Sequence, residues 1–283
     1  MSPVHFLIIT FVLSVAAGLF GSLLGLGGGT IVLPALTLLL HIDIRYAIGA
    51  SVVSVIATSS GAAAAFVKEH MSNLRVAMWL EIGTTAGAIT GAYVAGVVND
   101  RVLFIIFGIV LGYSALRMLA KARQVEAQPP ADPWADRLQL HDHYFDHVDN
   151  RVVHYRVARS RLGLLLMYIA GVVSGLLGIG SGALKVPAMD LAMRLPIKVS
   201  TATSNFMIGV TAAASAGVYF ARGDINPFIA APVMLGVLSG ATLGSRLLRR
   251  IESGMIRALF VVVLLMIAGR MLWQGFLPGG PRA

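Results

Sequence analysis

Apolar residues run in long blocks along this chain, and the polar and charged positions collect in the gaps between them. The blocks 5–25, 44–67, 75–98 and 102–120 have counterparts at 162–178, 197–220, 227–249 and 253–273. Each is about the length that crosses a bilayer as a helix, roughly 20 residues. The segments of about 10 residues with strict alternation that mark a membrane β-barrel do not occur. The first block ends in Gly25-Leu26-Gly27-Gly28-Gly29 and is followed by a shorter apolar stretch, 30–41. A dozen residues make roughly 18 Å of helix, too little to cross alone. The pattern predicts an all-α polytopic membrane protein of two halves, each a Gly-broken helical hairpin followed by three transmembrane helices.

The halves share more than their spacing. Gly18 to Ala35 reads GLFGSLLGLGGGTIVLPA, and Gly171 to Ala188 reads GVVSGLLGIGSGALKVPA, an offset of 153 residues. At the same offset Gly83, Gly87 and Gly91 fall on Gly236, Gly240 and Gly244. Glycines four apart let helix backbones approach closely, so these stripes are expected to pack helices rather than bind a ligand. The chain divides into a first membrane repeat, 1–120, a polar linker, 121–160, and a second repeat, 161–283. An odd number of crossings per half inverts the second half relative to the first, and paired broken segments in such halves point to a transport site. The linker is expected to be a solvated cap or tether, with a short hairpin turning at Asp149-Asn150.

Charge sets an expected orientation. With the linker in the cytoplasm, Arg45, Arg101, Arg222, Arg270 and Arg282 fall outside, Lys185 lies within the membrane, and every other basic residue falls on the linker side. That bias is the one the positive-inside rule describes, and it puts both termini outside. It also accounts for a net charge of +9 without a nucleic-acid partner. The chain is 57% hydrophobic and 12% charged, against about 25% charged in soluble domains. The first block lacks a basic leader, and its repeat mate is internal, so it is expected to be a retained helix rather than a signal peptide. Cysteine is absent, which excludes disulfides, thiolate metal sites and cysteine catalysis.

The candidate chemistry lies at the breaks. A helix that starts inside the membrane offers backbone N–H groups and the positive end of its dipole to an anion. Gly27, Gly28, Gly29 and Thr30 in one half, and Gly180, Ser181 and Gly182 in the other, are candidate anion-binding residues; the alternative is a tight turn and nothing more. Lys185 stands one turn into the second return arm, where the first half has Val32. An ionisable residue at that depth is functional by default, against the alternatives of snorkelling or pairing with Asp190. Glu81, opposite Met234 in the repeat, is a candidate proton carrier or an interfacial residue. Ser51 and Ser204, which are repeat mates, and Asn205, with Ser54 and Thr203 nearby, either donate to an anion or tie helix to helix. The run lacks the Gly-Lys-Ser/Thr end of a phosphate loop. Ser181 has no mid-membrane histidine to activate it, since His5, His41 and His70 lie at segment ends, so no enzyme activity and no cofactor are expected.

The segment GLLGIGSGALKVPAM with the following ATSNFMIGVTAAASA, and GLLGLGGGTIVLPAL in the first half, resemble the TauE/SafE family of sulfite exporters and sulfonate permeases. The resemblance covers both halves, and Ser181 departs from the glycine expected there. It implies a bacterial inner-membrane, multi-pass secondary transporter for a small sulfur-containing anion such as sulfite, thiosulfate or an organosulfonate. Such a protein works by alternating access, with the halves rocking around a substrate held between the hairpin tips. With no ATP-binding motif, the energy source is a proton or sodium gradient or the substrate's own. Membrane lipid, and a second copy of the chain in a homodimer, are the other partners considered. The alternatives are an anion channel, or a membrane sensor or metal-binding protein that acts through His141, Asp142, His143 and His147 of the linker; spacings of i, i+2 and i+6 share a helix face poorly.

Overall fold

A computed structural model describes residues 3–68, 71–121, 131–146, 149–178, 180–248, 251 and 253–276. In chain order the first half forms α1 (Pro3–Leu24), α2 (Gly29–Leu38), α3 (Ile44–Lys68), α4 (Leu74–Ala95) and α5 (Asp100–Lys121). The linker forms α6 (Pro133–Arg137), β1 (Asp142–Asp146) and β2 (Arg151–Tyr155). The second half forms α7 (Ser160–Leu177), α8 (Gly182–Pro187), a π-helical turn over Ala188–Ala192, α9 (Ile197–Ala221), α10 (Pro227–Leu248) and α11 (Ser253–Phe276). The protein is an all-α membrane fold apart from the linker hairpin. Among the described residues, α1, α7 and α10 are long and apolar enough to cross a bilayer by length and composition. The remaining long helices are 22 to 25 residues long.

The breaks fall where the glycines predict them. Gly25 and Gly27 have φ of +66° and +77°, and their mates Gly178 and Gly180 have +64° and +80°. A Cβ disfavours that left-handed region, so glycine ends α1 and α7 and turns the chain back into α2 and α8. Ser181 adopts φ +54° without being glycine. The second arm differs from the first in another way: α8 runs only to Pro187 and widens into the π turn.

Each hairpin packs on a helix from the opposite half. α1 lies along α10 and α7 along α4. A Cβ on Gly83, Gly87 or Gly91 would strike the carbonyls of Leu164, Tyr168 and Val172 on α7. A Cβ on Gly236, Gly240 or Gly244 would strike those of Phe11, Val15 and Leu19 on α1. These partners are themselves repeat mates, so the same atoms meet in both directions. The stripes are therefore helix-packing surfaces, as their spacing predicts. α3 and α9 cross at the centre, and α5 pairs with α11 at the flank.

The linker folds as a packed cap rather than a solvated tether. β1 and β2 pair antiparallel from Asp142↔Tyr155 to Asp146↔Arg151, with Asn150 at φ +49° in the turn between them. Leu140, Tyr144, Tyr155 and Val157 are buried against Val76 and Leu80 of α4, Met167 of α7, and Met193, Val199 and Met207. A buried ion pair, Lys198 Nζ to Asp146 Oδ1 at 2.8 Å, fixes the hairpin to the start of α9. Tyr144 donates to the other Asp146 oxygen at 3.2 Å. Asn73 caps α4 by accepting from Val76 N–H, and its Nδ2 donates to the Leu140 carbonyl and the Tyr155 hydroxyl.

Candidate functional site

The two hairpin tips touch. A Cβ on Gly182 would strike the Gly25 carbonyl and the Leu26 backbone, so the second tip sits directly on the first. Ser51 Oγ donates to the Gly178 carbonyl at 2.9 Å, and its mate Ser204 Oγ donates to the Gly25 carbonyl at 2.7 Å. Each central helix is thereby tied to the tip from the other half. Both stitches cap a carbonyl that the broken helix leaves without an intrahelical donor. Val55 and its mate Ile208 fill the space between the tips: a Cβ on Gly27 would meet Ile208 Cδ1 at 3.0 Å, and one on Gly180 would meet Val55 Cγ1 at 2.5 Å.

The structure thus gathers Gly27, Gly28, Gly29, Thr30, Gly180, Ser181, Gly182, Ser51, Ser204 and Asn205 into one buried junction. It also shows where their hydrogen bonds go. Thr30 Oγ1 donates to the Leu26 carbonyl, and Asn205 Nδ2 to the carbonyls of Ser22 and Thr201. Gly28 N–H is taken by Thr58 Oγ1 at 2.8 Å. The N–H groups of Thr30 and Ile31 turn back to Gly27 and Gly28, and those of Leu184 and Lys185 to Ser181. In this conformation most of the donors at the arm starts are spent within the protein. Two buried acceptor atoms here, Ser181 Oγ and Asn205 Oδ1, have no hydrogen-bond partner. Ser54 donates within its own helix to the Ser51 carbonyl, and Thr203 Oγ1 accepts from Asn73 N–H toward the cap, so neither points into the junction.

Beside the tips lies an ionic junction. Lys185 has no exposed surface, and its ammonium donates to Thr211 Oγ1 at 2.6 Å. Glu81 Oε2 stands 3.5 Å from the same nitrogen. Thr211 in turn donates to Glu81 Oε1 at 2.6 Å, and Thr85 Oγ1 reaches that oxygen at 3.1 Å. The partner the structure gives Lys185 is therefore Glu81 on α4 of the other half. The Glu81 carboxylate thus stands beside the Lys185 ammonium. A buried ion pair carries a desolvation penalty that close, fully hydrogen-bonded geometry must offset. At 3.5 Å this pair is loose beside the 2.7–2.9 Å usual for charge-assisted contacts.

Thr211 and Thr58 carry the sites and are not among the residues singled out from the sequence. Their signal is the repeat, since the offset of 153 places one on the other. Thr58 holds a tip N–H, and Thr211 in the equivalent place holds a lysine. The repeat mates of Lys185 and Glu81 are Val32 and Met234, so only one of the two equivalent junctions is charged.

The linker histidines serve the cap. His141 Nδ1 accepts from Val157 N–H at 3.0 Å while Nε2 meets Asp136 Oδ1 at 2.8 Å. His143 packs across the hairpin against His154, the two rings tilted by 36°. His147 and His70 lie outside the described residues. Among the described residues no group of three or more His, Cys, Asp or Glu is placed to hold a metal.

Comparison with known proteins agrees with this architecture. The family model described as sulfite exporter TauE/SafE matches residues 10–271. A probable membrane transporter protein of Bacillus subtilis, YunE, is 29% identical over 95% of this chain and 98% of its own length. A probable membrane transporter protein of Xylella fastidiosa is 26% identical over 92% of this chain and 94% of its own length. A second Bacillus subtilis protein of the same description, YdhB, is 24% identical over 85% of this chain and 88% of its own length.

Proposed function

The chain belongs to the sulfite exporter TauE/SafE family, a family of membrane transporters, and we propose that it is a secondary transporter moving a small sulfur-containing anion across the bacterial inner membrane. Sulfite, thiosulfate and organosulfonates are the substrate class. The observation that carries this reading is Lys185, a cation with no exposed surface placed one turn from the touching tips. A cation there compensates an anion that two helix ends, each worth about half a charge, compensate only in part.

The reciprocal packing supports an inverted repeat whose halves rock about the tips, and the distribution of basic residues supports a cytoplasmic 121–160 linker with both termini outside. In that scheme the conformation described here is the one in which the tips are closed on each other. Opening breaks the Ser51 and Ser204 stitches, and the freed hydroxyls, the amide of Asn205, Thr30, Ser181 and the glycine N–H groups of both tips line the substrate. Reconstituted protein preloaded with unlabelled thiosulfate should accelerate entry of labelled thiosulfate. Flux that is not stimulated from the opposite side would make the protein a channel instead. A binding panel of sulfite, thiosulfate, sulfoacetate, taurine and sulfate orders the substrates.

A further inference from the structure

We propose that Glu81 carries the coupling proton, and that it does so by competing with the substrate anion for Lys185. The inference rests on the anion-transport reading above and adds a mechanism of energisation to it.

The ammonium of Lys185 has three N–H groups. One is held by Thr211 and a second faces Glu81 across 3.5 Å. With both residues charged, the junction is neutral and Lys185 is occupied. A monovalent anion drawn to Lys185 makes the buried junction net negative, an arrangement that burial penalises heavily. A proton on Glu81 removes that charge. The carboxyl has a place for it: Oε2 is buried without a hydrogen-bond partner, while Oε1 already accepts from Thr211 and Thr85. Glu81 keeps 13% side-chain exposure and Lys185 none, so of the two residues Glu81 lies nearer the protein surface.

Thr211 is built for the exchange. Its hydroxyl donates to Glu81 Oε1 at 2.6 Å, and the Met207 carbonyl stands 3.1 Å away as a second acceptor. When Glu81 is protonated, Thr211 turns its hydrogen to Met207 and goes on accepting from Lys185. The lysine then stays aimed at the tips while its electrostatic partner changes from carboxylate to substrate. Lys185 keeps its proton throughout; the one proton that moves is taken up by Glu81 from water and released there when the anion leaves.

Few other charges lie on the elements packed against this pair, and on α4 itself the other charged residue is Arg75 in the first turn. On α9 the charged residues are Lys198 at the start and Arg222 just beyond the end, and on α7 only Arg161 in the first turn. Tyr168 of α7 and Tyr219 of α9 are the other ionisable side chains on those helices. Asp190 follows on the π turn, and α5 beside α8 carries its charges in its end turns.

The test uses the full-length protein with two probes, thiosulfate and isethionate, whose charges stay constant between pH 5 and 8. Wild-type affinity should weaken as pH rises, by up to about tenfold per pH unit, and binding in weak buffer should take up about one proton per isethionate. Glu81→Gln should bind with an affinity independent of pH. In vesicles it should keep exchange of labelled for unlabelled anion but lose uptake driven by a pH gradient. Glu81→Asp, which retains both the charge and a titratable group, should keep the slope if Glu81→Gln does not fold. Binding with no proton uptake in wild type, or an unchanged slope in Glu81→Gln, overturns the coupling and leaves the anion reading standing. No binding of either probe at any pH overturns the anion reading and the coupling together.

Discussion

A lysine buried to its last atom depends on what faces it. Removing one member of a buried pair leaves the other charged and unmatched, at a cost of about 3–5 kcal/mol, whereas removing both is far milder. Lys185→Ala should therefore do two separable things. It should lower the melting temperature in detergent, and it should weaken anion binding roughly 10- to 150-fold, the equivalent of a charge-assisted contact of about 1.5–3 kcal/mol. Adding Glu81→Gln should restore the melting temperature and leave binding weak. Lys185→Arg should keep part of the binding, because the charge survives while its geometry changes. If the double variant recovers affinity as well as stability, the lysine acts only through folding. A second residue, Asp132, tests the cap. Burial raises its carboxyl, but the N–H groups of Ser160, Ala135 and Trp134 outweigh it and hold the group below the usual carboxylate range. A lowered carboxylate stabilises at neutral pH, and that contribution is lost as pH falls through the folded value, below about 4. Trp134, stacked on Trp79 and under Arg161, should report this loosening as an acid-induced fluorescence change that Asp132→Asn suppresses.

At the scale of helices, glycine serves two purposes that substitution should separate. Gly87 and Gly240 sit where α4 meets α7 and where α10 meets α1, against a carbonyl in each case. Gly87→Leu and Gly240→Leu should both prevent accumulation of folded protein, and to a similar degree, because the contacts are equivalent. Gly28 faces side chains instead, Thr58 Oγ1 and Val237 Cγ1, each 2.8 Å from a built Cβ. Gly28→Val should leave protein in the membrane while removing thiosulfate binding in a filter assay; wild-type affinity would place the site elsewhere. Helices and breaks were legible because they depend on local facts: apolar runs set the lengths, and positive φ favours the glycines Gly25, Gly27, Gly178 and Gly180 at the turns. The partner of Lys185 was not legible, since Glu81 lies in the other half and only the crossed packing of α4, α8 and α9 brings the two together. The cap core was missed for a similar reason. Tyr144 and Tyr155 sit in strands of five residues, too short to show which face is buried.

For the molecule as a whole, orientation is the first thing to measure. Asp149 is exposed at the hairpin turn, and the native chain has no cysteine to confuse a label. Asp149→Cys should resist an impermeant thiol reagent in intact cells and react once the cells are opened. Labelling from outside would reverse the topology.

The crossed packing also dictates the order in which the molecule can be made. α1 is synthesised first, yet the helix that fits its backbone, α10, emerges more than 200 residues later. α4 likewise waits for α7. Until then each presents a stripe that no neighbour from its own half covers, and neither half holds the contacts that would close it. A ribosome stalled after α9 should therefore leave a chain that membrane proteases clear quickly, and supplying α10–α11 as a separate polypeptide should rescue it. For this protein, folding is a matter of timing: the nascent first half has to be sheltered until its counterpart arrives.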